Sequence, residues 1–296
     1  MEGQPLVSVI IPSYQCALYL PCSISSVLSQ TYPQDKIEII VVNDGSTDDT
    51  DNVMQPFLSK VRYFRQPNGG VSAARNVGIA NSQGDYLAFL DADDYWYPDR
   101  LELLTGAAQH DSLITSDFVI DINGTLRPKG YYAEHGLCPN FQKPPHEQYL
   151  LALENNFIAW PMVSKRVIDR VGSFDEELVY GEDWDLWLRC LAAGFAVRLV
   201  PKVCAAYRYR RPGATTTRHD RRMAENRLVI LGRHRRNVSR RRWYMAKGVL
   251  SHIQLRESVE LKQHRGVARH ALALGLNLTY MRHWFKSRSA RQERQD

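Results

Sequence analysis

The first ninety residues alternate short apolar runs with stretches whose apolar residues recur at helical spacing. Val7-Ser8-Val9-Ile10-Ile11, Ile37-Glu38-Ile39-Ile40-Val41-Val42, Val61 to Phe64 and Tyr86-Leu87-Ala88-Phe89-Leu90 are too short for helices and read as strands. Between them, Leu20, Ile24, Val27 and Leu28 share one helical face behind Pro21. Val53, Met54, Phe57 and Leu58 follow a Ser46-Thr47-Asp48 cap, and Ala73, Ala74 and Gly78 mark a small-residue helix after Asn68-Gly69-Gly70. Strands alternating with helices predict a mostly parallel sheet flanked by helices, with ligands beyond the carboxyl ends of the strands. Pro12, Asp44 and Asp91 fall at three such ends, the predicted mouth of one site.

The second half is less regular. Residues 98–118 give another helix, marked by Leu101, Leu103 and Leu104, and a strand near Leu113–Val119. Residues 120–146, rich in Gly, Pro, Tyr and His, show no period and read either as a substrate-facing insertion or as a disordered loop. Helices over 147–154 and 182–193 and a strand at 196–200 follow. Beyond Thr217 the pattern is helical: Trp243, Ala246, Leu250 and Ile253 form one stripe, and Val267, Ala271 and Leu274 another, which suggests a helical hairpin. The expected organisation is a domain over 1–217 and a helical region over 218–296.

Charge sharpens that division. Residues 1–150 carry 9 Lys and Arg against 18 Asp and Glu, whereas residues 201–296 carry 24 against 6, a net of +18. The basic region, with Arg233-His234-Arg235-Arg236 and Arg240-Arg241-Arg242 near Trp243 and Tyr244, has three readings. It lies on an anionic membrane surface, it binds nucleic acid without a recognised motif, or it is a solvated helical face with acidic partners. Overall the chain has an ordinary globular composition, 44% hydrophobic and 24% charged over 296 residues. No apolar stretch approaches the ~18 residues of a membrane span. The first residues lack the pattern of a signal peptide, and five scattered cysteines form no C-x-x-C pair. The expectation is free thiols in a cytoplasmic protein, peripheral at the inner membrane face if the tail binds lipid.

Asp91-Ala92-Asp93-Asp94 ends the fourth strand. Unpaired buried charge is costly, so the three carboxylates are expected to leave the core and find a cation. Paired carboxylates in a loop suit a hard divalent ion, Mg²⁺ or Mn²⁺, completed by water and substrate phosphates. The plainer reading is an acidic turn that caps the next helix.

Further segments decide between them. Val7 to Tyr14, Val41-Val42-Asn43-Asp44-Gly45-Ser46-Thr47-Asp48, Gly69-Gly70-Val71-Ser72-Ala73-Ala74-Arg75-Asn76, Gly84 to Asp94, Gly172-Ser173-Phe174-Asp175 and Gly181-Glu182-Asp183-Trp184-Asp185 together resemble a family 2 glycosyltransferase, in its order and spacing, over about 5–215. The resemblance implies a GT-A fold with a Rossmann-like sheet, a nucleotide-sugar donor (UDP foremost), a divalent metal, and inversion at the anomeric carbon. It implies that Pro12, Tyr14, Asp44, Arg75 and Asp91 bind the nucleotide and that Asp93 ligates the metal. Asp183 would be the general base, kept ionised by the helix N-terminus it opens. Glu182 and Trp184 would meet the donor or acceptor sugar, although Trp184 and Trp187 read equally as core.

One departure stands out. The family that the chain resembles often shows a tyrosine-arginine step and then a histidine after the final strand, where this chain has Tyr207-Arg208-Tyr209-Arg210-Arg211. Arg208, Arg210 or Arg211 is therefore the expected diphosphate clamp. The acceptor would be a growing cell-surface glycan or a lipid-linked saccharide. The rivals are a catalytically silent nucleotide-sugar binder, a nucleic-acid binder acting through the tail, and a nucleotidyltransferase, which would normally carry a glycine-rich loop where this chain has Pro12-Ser13-Tyr14-Gln15.

Overall fold

The computed structural model describes residues 3–108, 112–154, 157–209 and 221–237. The chain divides into two units, Met1–Ala152 with Asn156–Arg218, and Leu153–Asn155 with His219–Asp296. In the first unit, β1 (Val7–Ser13), β2 (Ile37–Asn43), β3 (Arg62–Arg65) and β4 (Tyr86–Phe89) alternate with α1 (Leu20–Leu28), α2 (Thr50–Met54) and α3 (Val71–Asn81). The elements β5 (Tyr95–Trp96), α4 (Arg100–Gly106), β6 (Ser112–Ile122), β7 (Thr125–Leu126), α5 (Tyr131–Glu134) and α6 (Pro145–Glu154) follow. Then come β8 (Met162–Ser164), α7 (Lys165–Val171), α8 (Glu182–Ala192) and β9 (Ala196–Tyr209).

The strands form one sheet in the order β3-β2-β1-β4-β8-β6-β9-β5, with β7 pairing β6. β1 pairs in parallel with both β2 and β4, and β2 with β3, as the alternation of elements predicts. Every residue of β1 and β4 is buried, as expected of parallel strands covered on both faces. Ile40, Val42 and Ala74 form a core between β2 and α3. α3 lies so close to β1 that a Cβ on Gly78 would sit 2.4 Å from Ile10 Cγ2. That contact brings the N-terminus of α3 to the carboxyl edge of the sheet.

Three departures have local causes. The helix expected through Leu58 stops at Met54 and becomes a 3₁₀ turn over Gln55–Phe57, because Pro56 removes a helical donor. β9 does not end at Val200. It bulges at Pro201 and Lys202, shifting register between Ser116↔Val200 and Asp117↔Val203, and then pairs on to Tyr209. Residues 120–146 contain β7, α5 and a 3₁₀ turn, held by aromatic packing that no helical or strand period reveals. Tyr132 packs edge-on against both Phe118 and Phe141, at 5.5 Å and 4.9 Å.

The second unit includes α9 (Arg221–Arg233) and a 3₁₀ turn over Arg235–Asn237. Arg210, Arg211 and the hairpin expected through Trp243 and Leu274 lie outside the described residues. Among the described residues no helix is long and apolar enough to cross a membrane.

Candidate functional site

The carboxyl ends of β1 and β2 are tied together. Gln15, at φ 52°, donates its backbone N–H to Ser46 Oγ at 3.0 Å, and its side-chain oxygen accepts from Asp48 N at 3.0 Å. Asp48 Oδ2 in turn accepts from Ala17 N at 2.9 Å. This lattice leaves Tyr14 48% exposed at the mouth, a ring available for stacking, while Pro12 is buried in β1. Asp44 is buried as well. Its Oδ1 accepts from Gln66 Nε2 at 2.7 Å and Gly69 N at 2.8 Å, and its Oδ2 accepts from Gly70 N at 2.8 Å. Three of about four acceptor positions on the carboxylate are therefore occupied, two of them by the glycine loop that opens α3.

α3 then delivers Arg75. Neither a surface arginine nor an open phosphate ligand, it is 7% exposed and donates to Asp91 Oδ1 and Glu182 Oε1, each at 2.8 Å. The guanidinium lies over the Phe174 ring at 5.1 Å. The neighbouring Asn76 exchanges hydrogen bonds with the Phe174 backbone at 2.9 and 3.0 Å. Two separate motifs, Ala74-Arg75-Asn76 and Gly172-Ser173-Phe174-Asp175, thus become one support beneath the acidic loop.

That loop is held from both sides. Trp160 Nε1 donates to Asp91 Oδ2 at 3.1 Å. From β9, Arg208 donates its backbone N–H to Asp94 Oδ1 at 2.8 Å and its Nη1 to Asp93 O at 2.7 Å, with its guanidinium 4.5 Å from the Tyr95 ring centroid. Arg208 is therefore engaged by the loop itself. The expectation that all three carboxylates leave the core fails for Asp94, which is 2% exposed. Burial, and then Asp93 and Asp91, push its carboxyl well above the usual carboxylate range. Asp91 and Asp93 remain partly exposed.

α8 starts from Gly181, whose φ of 75° is left-handed backbone natural to glycine, and this turn points Glu182 and Asp183 toward the loop. Asp183 accepts from Trp184 N at 2.6 Å. The helix terminus does not keep it fully ionised, contrary to expectation. Burial first, then the charges of Glu182 and Asp91, push its carboxyl up to about 7, against the opposing pull of Arg75 and the Trp184 N–H. Trp184 is core and not a sugar wall. It is 6% exposed and donates its indole N–H to Ala152 O at 2.7 Å. Trp187 is likewise buried, packed against Phe89 and Phe174.

Two residues at the site escaped the sequence reading. Trp160 holds φ 40°, an uncommon backbone for a bulky residue and a mark of functional sites. Its carbonyl accepts from Arg100 Nη2 at 2.8 Å, and the preceding Ala159 accepts from Thr115 Oγ1 at 2.6 Å and donates to Tyr132 Oη at 3.0 Å. Arg100 is 1% exposed, and burial lowers its pKa to about 10. The only signal in the sequence is a tryptophan before Pro161 in a stretch without period.

Among the described residues no three His, Cys, Asp or Glu converge into a ready-made metal cage. Ions such as Mg²⁺ are commonly held by one or two carboxylates completed by substrate phosphates. Asp93, partly exposed on this loop, fits that smaller requirement.

Residues 8–163 match the profile of glycosyl transferase family 2, a span that includes Asp44, Arg75 and the acidic loop but stops before α8. An uncharacterized glycosyltransferase of Rickettsia typhi is 35% identical over 191 residues, covering 63% of this chain and 59% of that protein. Chondroitin synthase of Pasteurella multocida is 30% identical over 204 residues, covering 68% of this chain and 20% of the synthase. The chain thus spans less than two thirds of the length of either relative. Among solved structures, S. aureus TarS 1–349 in complex with UDP-GlcNAc superposes with a TM-score of 0.64 at 20% identity, covering 86% of this chain and 73% of that one. The mannosyltransferase PcManGT of Pyrobaculum calidifontis, in complex with GDP-Man and Mn²⁺, superposes at 0.58 and 18% identity, covering 94% and 76%. The fold is therefore GT-A, and a profile match over more than half of its length makes this chain a member of glycosyl transferase family 2.

Proposed function

We propose that the chain transfers a sugar, with inversion, from a UDP-sugar to a hydroxyl of a glycan or lipid-linked acceptor in cell-surface polysaccharide synthesis. The observation that carries this reading is the Arg75 bridge, which joins the acidic loop to the start of α8 and sets Asp183 beside it. A carboxyl poised at about 7 suits general base work near neutral pH, where it can take the proton of the attacking hydroxyl. Tyr14 would stack on the base, and the remaining acceptor position of Asp44 would read an N–H on it. Asp91, steadied by Arg75 and Trp160, would orient the ribose or donor sugar. Asp93 would hold Mn²⁺ or Mg²⁺, whose charge offsets that of the departing nucleoside diphosphate. TarS with UDP-GlcNAc and PcManGT with GDP-Man and Mn²⁺ support a nucleotide-sugar on this fold.

The test is a thermal-shift screen of UDP, GDP, dTDP and CMP, with Mn²⁺ or with EDTA. A ligand at 100 times its Kd stabilises by about 2.7 kcal/mol, or roughly 5–10 °C in a protein of this size. UDP should give that shift and lose it in EDTA. A shift with GDP alone would overturn the choice of base, and no shift with any nucleotide would overturn the donor site.

A further inference from the structure

Strand alternation divides the two longest strands into unlike faces. Beyond the bulge, Phe118, Ile120 and Ile122 of β6 pair with Ala205, Tyr207 and Tyr209 of β9 and share one face with them. Arg208 and Asp121 point to the other face, where Tyr95 Oη meets Asp121 Oδ2 at 3.3 Å and Arg208 engages the acidic loop. The aromatic face begins at the site itself. Trp160, whose indole N–H holds Asp91, has its ring 5.7 Å from that of Tyr207, and Tyr207 lies 6.4 Å from Tyr209. Tyr209 then lines a recess of about 330 Å³ with Ile120, Ile122 and Arg127. All three rings are partly exposed.

We infer that this row of rings is the track along which the acceptor glycan lies, with its reacting end at Trp160 and its preceding sugars over Tyr207 and Tyr209. The inference rests on the proposed glycosyl transfer and adds to it the position and class of the acceptor. Aromatic rings present a flat apolar surface that fits the C–H face of a pyranose, and their spacing in a row suits a chain of sugars better than a single small alcohol. Arg127, exposed where it lines the recess, supplies hydrogen-bond donors at the edge, as hydroxyl-rich ligands require. Trp160 is built for such a role. Arg100, Thr115 and Tyr132 fix the 159–160 backbone, so the ring need not be ordered when a ligand arrives.

The experiment is a glycan array probed with the full chain, alongside the UDP and Mn²⁺ thermal shift on the same preparations. Wild type should retain oligosaccharides of more than one sugar in preference to monosaccharides. Tyr207→Ala with Tyr209→Ala should lower that retention by about tenfold or more, in line with removal of aromatic anchors, and leave the UDP shift unchanged. Tyr207→Phe with Tyr209→Phe keeps the rings and should hold retention within about threefold, which separates stacking from a general loss of fold. The track is overturned if wild type retains no oligosaccharide, if the alanine pair retains it at wild-type strength, or if the phenylalanine pair loses it equally. Loss of the UDP shift in wild type with glycan retention intact would count against the donor reading alone.

Discussion

Asp183→Asn should make this protein more stable and far less active. An aspartate ordinarily near 3.8 but held at about 7 disfavours folding once the unfolded chain has ionised. At about 1.36 kcal/mol per pH unit, the ceiling on that cost is ~4 kcal/mol. Asp183 is partly exposed and shares its field with Glu182 and Asp91, so screening and coupling reduce the cost to about 1–2 kcal/mol. The sign follows from proton binding. Below about 4 the group is neutral in both states and costs nothing. As pH rises toward 7 the unfolded chain releases a proton that the folded chain keeps, and stability falls; above 7 the loss is complete. Asparagine does not titrate. The melting point of the variant should therefore exceed that of wild type by about 2–8 °C at pH 8, with the gap narrowing toward pH 5. Transfer should drop by about 10²–10⁴-fold while the UDP shift persists. A variant less stable than wild type at pH 8, or a gap that does not narrow, would refute the argument that burial and acidic neighbours hold this carboxyl up.

Three further outcomes follow from the same geometry. The rate of transfer should rise with pH and level off above about 7, because the base must be ionised; a rate that falls through that range would exclude Asp183 as the base. Asp93→Ala should abolish the difference in UDP affinity between Mn²⁺ and EDTA, measured by calorimetry; an affinity that still depends on Mn²⁺ would remove Asp93 from the metal shell. Arg75→Ala leaves Asp91 and Glu182 facing one another without their cation and should cost about 3–5 kcal/mol in denaturant unfolding. A loss below about 1 kcal/mol would mean the bridge is no more than a surface pair.

The parallel half of the fold was readable because its strands are continuous apolar runs and its helices keep a clean period. The positions of Pro12, Asp44 and Asp91 at strand ends follow from that alone. What could not be read depends on contacts between distant residues. β8 has three residues, too few for any pattern. Trp184 opens an amphipathic helix, and only the packing of Ala152 against it shows that it faces inward. The helix terminus favours an ionised Asp183, yet Glu182, Asp91 and burial outweigh it, and two of those three come from the folded environment. Trp160 is the clearest case, since its role rests on Arg100, Thr115 and Tyr132, none of them near it in sequence.

The Arg75 bridge also constrains the order in which the chain becomes a site. During synthesis β1 to β4 and α3 emerge first, and Asp91 follows Arg75 by 16 residues. Glu182 arrives 107 residues after Arg75. Until then the guanidinium has one acid instead of two, and Phe174 has not yet covered it. The nascent sheet can assemble, but its loop of carboxylates stays without its second brace. Completion of α8 thus supplies the second acid of the bridge and brings Asp183 next to it, and a chain interrupted before residue 182 would lack both, along with the Arg208 contacts that β9 adds later.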